Sequence, residues 1–191
     1  MTTDEQGTNG NGTGGDDRQL AADLDDWVFA GRGIVRVVER LGGNIPPFGP
    51  DRRSEVGQLI AATDAEFDRL VAAWQTTIRP ALEPYENASS PGWVAAGTGE
   101  KPYAPQPPPR LDPAAYSDGY WIDYWVGGAV ALLEIVDDLR ACVPPSDQGE
   151  AWSLASFHIP RADEQFAWML DGYQTAVRPR LRKYARRVTR W

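Results

Sequence analysis

The feature that most constrains this chain is that it repeats itself. Residues 64–85 (DAEFDRLVAAWQTTIRPALEPY) and 163–184 (DEQFAWMLDGYQTAVRPRLRKY) share Asp64/Asp163, Phe67/Phe166, Gln75/Gln174, Thr76/Thr175, Arg79/Arg178, Pro80/Pro179, Leu82/Leu181 and Tyr85/Tyr184 at an offset of 99. That is eight identities in 22 positions, where average composition gives about one or two. Upstream, residues 26–41 align with 124–139 at an offset of 98, matching Trp27/Trp125, Val28/Val126, Val38/Val136 and Leu41/Leu139. The unit is a helical hairpin written twice, and the change of offset implies one residue inserted in the second turn.

Hydrophobic periodicity places the helices. From Arg18 to Leu41 the apolar residues Leu20, Leu24, Trp27, Val28, Ile34, Val35, Val38 and Leu41 recur at helical spacing. Gly42-Gly43 and Pro46-Pro47 stop this helix. A second helix spans Ser54 to Tyr85, and Thr63-Asp64-Ala65-Glu66 has the form of a capping box that would restart it. The second unit repeats the pattern over Asp118–Ala141 and Asp163–Arg190, with a short separate segment at 150–158. Pro80 and Pro179 fall inside helical patterns, so a kink is expected at each Arg-Pro step. No strand signal stands out. The expected fold is all-α: an up-down-up-down four-helix bundle with pseudo-twofold symmetry. Its parts are a disordered acidic Gly-rich tail (1–17), hairpin 18–86, a Pro-rich loop (87–117) and hairpin 118–191 with a basic extension. That topology would gather the acidic N-terminal residues, the loop and the basic C-terminus at one end.

Composition narrows the function classes. Apolar residues make up 42% of the 191, enough for a core. No stretch combines the length and freedom from charge needed to span a bilayer, and the acidic N-terminal residues lack the basic and apolar regions of a signal peptide. The single cysteine, Cys142, precludes an internal disulfide and a thiolate metal site. A cytoplasmic location follows, or a virion if the source is viral. The net charge of −8 disfavours nucleic acid as a partner, although residues 178–191 carry seven cations and no acid.

Four constellations are candidates for binding. Gln75 and Arg79, with Gln174 and Arg178, lie four apart on one helix face, and the two faces together could hold an anion at the bundle axis. The blander reading pairs each arginine with a carboxylate of its own hairpin, Asp25 or Asp26 and Asp123, or has it cap carbonyls freed by the adjacent proline. The basic terminus, Arg178, Arg180, Arg182, Lys183, Arg186, Arg187 and Arg190, could bind phosphate or be neutralised by Asp16, Asp17, Asp23, Asp25 and Asp26. The stripe Val177, Leu181, Tyr184, Val188, Trp191 runs past the end of the repeated unit, and its last two residues would contact either the Pro-rich loop or another chain. The aromatic run Tyr116, Tyr120, Trp121, Tyr124, Trp125 reads as core and loop packing before it reads as a ligand pocket.

Catalytic signals are weak. His158 is the one histidine and stands beside no nucleophile motif. There is no Glu-x-x-His pair for a di-iron bundle and no phosphate loop after a strand. No catalytic residue, metal or cofactor is therefore expected. The reading that follows is a non-catalytic helical interaction protein, a subunit of a larger assembly, of which a virion or phage-type connector component is one concrete version. A protein partner or self-association is the expected contact. Two rivals remain: a small-ligand protein or enzyme with a pocket between the hairpins, and a nucleic-acid contact through the basic helix.

Overall fold

The computed structural model describes residues 13–43, 53–86, 118–143 and 150–189, and every regular element among them is helical. In chain order these are α1 (Thr13–Gly43), α2 (Arg53–Ala73), a π-helical turn (Trp74–Ile78), α3 (Arg79–Glu86), α4 (Asp118–Ala141), α5 (Glu150–Gly172), a second π-helical turn (Tyr173–Val177) and α6 (Arg178–Thr189). Helices α2 and α3 continue one another through the first π turn, as α5 and α6 do through the second. The result is a four-helix bundle of two hairpins.

The π turns fall 99 residues apart, each directly before an Arg-Pro step. Proline lacks an N–H and crowds the turn before it. Here the backbone widens by one residue: Arg79 N–H reaches back to the Trp74 carbonyl and Arg178 N–H to that of Tyr173. The helix then continues through the proline. Such insertions are a recognised way for a helix to absorb a break in its hydrogen-bond ladder. Thr76 and Thr175 steady the same turns, their hydroxyls donating to the carbonyls of Ala72 and Asp171 at 2.8 and 2.7 Å.

The core is built from matched contacts. Trp27 Nε1 donates to the Leu70 carbonyl at 2.9 Å, and Trp125 Nε1 donates to the Met169 carbonyl at 2.9 Å. Trp27 lies 5.1 Å from Trp74, and Trp125 lies 5.4 Å from Tyr173. Between hairpins, Phe67 stacks on Tyr173 and Phe166 stacks on Trp74. Every one of these pairs maps onto the other by the two sequence offsets, as a duplicated hairpin requires. Tilted and stacked aromatic pairs each add roughly 0.5–1.5 kcal/mol beyond burial, and these six rings meet across the hairpins as well as within them. A void of about 10 Å³ lies beside three of these rings, Trp27, Phe67 and Trp125, with Leu70, Leu133 and Met169 around it, at the lower bound of the space one water molecule needs.

The sense of the second hairpin differs from the expected order. Going from Asp25 to Arg32 on α1, the salt-bridge partner on α4 moves back from Arg140 to Asp137. Going from Asp64 to Arg79, the partner moves back from Arg178 to Asp163. The second hairpin is therefore inverted against the first, and the helices run up, down, down, up. A twofold axis across the bundle lets each hairpin bury the same face against its copy, and the repeat in sequence is silent on that choice. Tyr85 donates to Asp17, which holds the start of α1 against the end of α3. Arg180 lies over Trp121, which holds α6 beside the start of α4. The acidic start of α1 and the basic α6 therefore occupy opposite ends, so the expected neutralisation of one by the other is not formed among the described residues.

Three boundaries also move. Helix α1 begins at Thr13, inside the segment expected to be disordered, where Asp16 in its first turn suits the helix dipole and Asp17 is tied to Tyr85. Helix α2 passes through the expected capping box: the Thr63 hydroxyl turns back to the Leu59 carbonyl at 2.8 Å, and Asp64 serves the opposite hairpin instead. Helix α5 starts at Glu150 and passes through Pro160, because Ala155, Ile159 and Ala162 are fully buried and that packing outweighs the proline.

Candidate functional site

The sequence candidates resolve as follows. Arg79 and Arg178 are partly buried and paired, and each reaches a carboxylate of the other hairpin rather than the Asp25, Asp26 or Asp123 of its own first helix. Arg79 Nε donates to Asp163 at 2.8 Å and its Nη2 to Glu86 at 2.8 Å. Arg178 reaches Asp64 at 3.4 Å and also bonds Asp68. Tyr173 adds a hydrogen bond to Asp64 at 2.8 Å. Burial opposes charge on both arginines, yet the adjacent carboxylates outweigh it and hold both guanidiniums above their ordinary pKa. Burial likewise raises Asp163 above the usual carboxylate range, against the pull of Arg79 and a hydrogen bond from Trp74. These clusters are braces between hairpins. Gln75 and Gln174 are exposed and do not converge on an axis with the partly buried arginines.

On α6, Arg182 bonds Asp64 at 3.1 Å and Arg186 is exposed. Val177 and Leu181 are buried, and Tyr184 packs against the core. The side chains of Arg187 and Val188, together with Arg190 and Trp191, lie outside the described residues, as do the Pro-rich segment 87–117 and Tyr116. Trp121 and Trp125 are buried core residues. His158 is half-buried beside Phe157, and burial pushes its pKa down. Among the described residues no three His, Cys, Asp or Glu side chains are placed to hold a metal, and no helix is long and apolar enough to cross a membrane.

The feature that sequence reasoning missed is a groove between α1 and α2. Its volume is about 300 Å³. Trp27, Leu70 and Ile78, all nearly fully buried, form its floor. Asp23, Asp26, Glu66 and Arg69 form its rim, with Ala30, Ala73 and Thr77 between. Arg69 points away from the floor: its side chain is 74% exposed and pairs with Glu66 one turn back.

The meaning of this groove comes from its copy. The offsets carry floor onto floor, Trp27 to Trp125, Leu70 to Met169 and Ile78 to Val177. They carry the rim onto different chemistry: Asp23 to Trp121, Asp26 to Tyr124, Glu66 to Gln165, Arg69 to Trp168 and Ala30 to Gly128. In the second hairpin that space is full. Trp168 meets Tyr124 edge-on at 5.2 Å, and Tyr124 meets Trp121 at 6.1 Å. Gln165 Nε2 donates to the Gly128 carbonyl at 2.9 Å. The Trp168 ring lies so close to Gly128 that a Cβ there would fall 1.9 Å from Cζ3. Glycine at 128 is thus what admits the indole, and the first hairpin has neither that glycine nor that indole. The two halves agree inside and differ here, where an aromatic plug is exchanged for a groove rimmed by three carboxylates and one arginine. The signal was available as the differences between the aligned units rather than their identities.

Comparison with protein-family models, curated proteins and solved structures finds no match for the chain.

Proposed function

We propose that the protein is a non-catalytic helical interaction protein, a subunit of a larger assembly, that takes its partner into the α1–α2 groove. The observation that carries this reading is the groove with its plugged copy. A surface that must stay closed is closed in the second hairpin by the chain's own Trp168, and the equivalent surface in the first is left to be closed by something else. Apolar surface over a buried Trp and Leu favours burial, and aromatic and apolar anchors in such pockets dominate protein interfaces. The most buried ion pairs, Arg79 with Asp163 and Arg178 with Asp64, join the hairpins, which supports a scaffold rather than a reaction centre. Phe29 stands 81% exposed on the outer side of α1, where it can widen the contact.

A small organic cation is the second reading. It is favoured by the acidic rim, and the groove volume is at the lower limit of small-molecule sites.

The test copies the second hairpin onto the first. Ala30→Gly with Arg69→Trp supplies both the space and the plug. The expected result is an unchanged or raised melting temperature with loss of association. A filled variant that keeps every association of the parent chain would refute the groove as the contact.

A further inference from the structure

The occupant of the groove can be specified from the chain itself. We infer that the groove binds the C-terminal Arg187–Trp191 segment of a second copy, so that the protein assembles head to tail. This rests on the reading of the groove as an interaction site and names its partner.

Three observations converge. The first is the plug: the space equivalent to the groove holds an indole, that of Trp168, over the same Trp-and-aliphatic floor. The group that fits is therefore aromatic. The second is charge. The rim carries three acids and one base, and Arg69 is already paired with Glu66; Asp23 accepts a hydrogen bond from the neutral Gln19 side chain at 2.8 Å, so the negative charge of Asp23 and Asp26 faces an incoming cation. Complementary charge of this kind steers encounter and fixes register. The sequence Arg187-Val188-Thr189-Arg190-Trp191 supplies one indole with two cations around it.

The third observation is reach. Helix α6 runs antiparallel to α2, with Arg178 at Asp64 and Asp68, and Arg182 at Asp64. Each further residue carries it toward the start of α2 and away from Arg69, Ala73 and Ile78. Trp191 follows Thr189 by two residues, a reach of at most about 7 Å, too short to return to Arg69 and Ile78. A chain cannot fill its own groove with this segment, whereas another copy can. Donor and acceptor surfaces are different, so the contact is heterologous and builds rings or open chains rather than an isologous dimer.

The experiment uses the full-length chain and three variants whose folding is checked by melting. Trp191→Ser lacks the plug. Ala30→Gly/Arg69→Trp lacks the open groove. Asp23→Lys/Asp26→Lys, at surface positions, keeps the groove and reverses its charge. Native mass is measured over a concentration series. The parent chain is expected to exceed a dimer as concentration rises, and each variant alone to remain a monomer. A mixture of Trp191→Ser with Ala30→Gly/Arg69→Trp is expected to stop at a heterodimer, since one supplies the groove and the other the segment. A parent chain that stays monomeric throughout would overturn the inference. If the groove variants lose mass and Trp191→Ser does not, the groove reading stands and the segment is the wrong occupant. If no variant alters the mass of an associating parent chain, both fall.

Discussion

Adjacent glycines on α4 give a test in which two physical effects carry opposite signs. An exposed mid-helix glycine replaced by alanine gains roughly 0.5–1 kcal/mol, because glycine loses more backbone entropy on folding. At Gly127 a new Cβ meets nothing within 4 Å, so Gly127→Ala should gain that amount. At Gly128 the new Cβ would lie 1.9, 2.3 and 2.7 Å from Cζ3, Cη2 and Cε3 of Trp168, and the ring must leave its slot. A packed tryptophan buries about 150–250 Å². Trp168 is half-buried, so roughly 100 Å² returns to water, costing about 2.5 kcal/mol at 25 cal/mol/Å². The edge-on contact with Tyr124 is worth about 1 kcal/mol more. Setting the helix gain against this leaves a loss of about 2.5–3 kcal/mol. For a chain of this size the melting temperature moves about 2–4 °C per kcal/mol, so Gly128→Ala should melt roughly 5–12 °C lower and Gly127→Ala slightly higher. Circular dichroism gives the melts. A red shift in tryptophan emission at low temperature should accompany Gly128→Ala alone. If Gly128→Ala melts at or above the parent temperature, the ring does not occupy that space and the contrast between filled and open grooves is lost.

Further outcomes follow from the braces and the repeated core. Arg79→Ala and Arg178→Ala should each cost about 1–3 kcal/mol, since each leaves a partly buried carboxylate short of a partner; denaturant melts matching the parent chain would contradict this. Trp27→Phe and Trp125→Phe remove equivalent hydrogen bonds and should lose similar stability, about 1–3 kcal/mol each, with the groove's openness the main source of any difference in chemical denaturation. Tyr173 is held well above the usual phenol range by burial and by Asp64. Its folded pKa is therefore the higher one: the stabilisation is full below the unfolded value near 10 and fades as pH rises beyond it. Spectroscopic titration should show one fewer slow-titrating phenol in Tyr173→Phe, and a smaller loss of stability above about pH 10; an unchanged alkaline profile would contradict the placement of that hydroxyl.

The helices and the core were legible because both depend on apolar spacing, which the duplication presents twice. Trp27 and Trp125, or Trp74 and Tyr173, are matched in sequence and matched in contact. The direction of the second hairpin was not legible, since inversion changes no residue's burial pattern within its own hairpin. It shows only in pairs such as Arg79 with Asp163, where an arginine reaches across rather than along. Pro160 and the Thr63 capping box misled for a common reason. Local signals of this kind are worth about 1–3 kcal/mol, and a fully buried face such as Ala155, Ile159 and Ala162 exceeds that. The groove was missed because Asp23, Asp26 and Arg69 read individually as ordinary solvated helix residues. Only their replacement by Trp121, Tyr124 and Trp168 at the equivalent positions gives them meaning.

The most direct test of the account compares two indoles in one molecule. Trp27 and Trp125 make the same 2.9 Å hydrogen bond to a backbone carbonyl, one beneath the open groove and one beneath the plug. Tryptammonium, an indole bearing a cation, is titrated into ¹⁵N-labelled protein while the indole N–H resonances are followed. The Trp27 resonance should move saturably, the Trp125 resonance should stay fixed, and Ala30→Gly/Arg69→Trp should abolish the shift. Equal movement of both resonances, or movement of neither, would contradict the claim that the chain keeps one of its two grooves open for a partner.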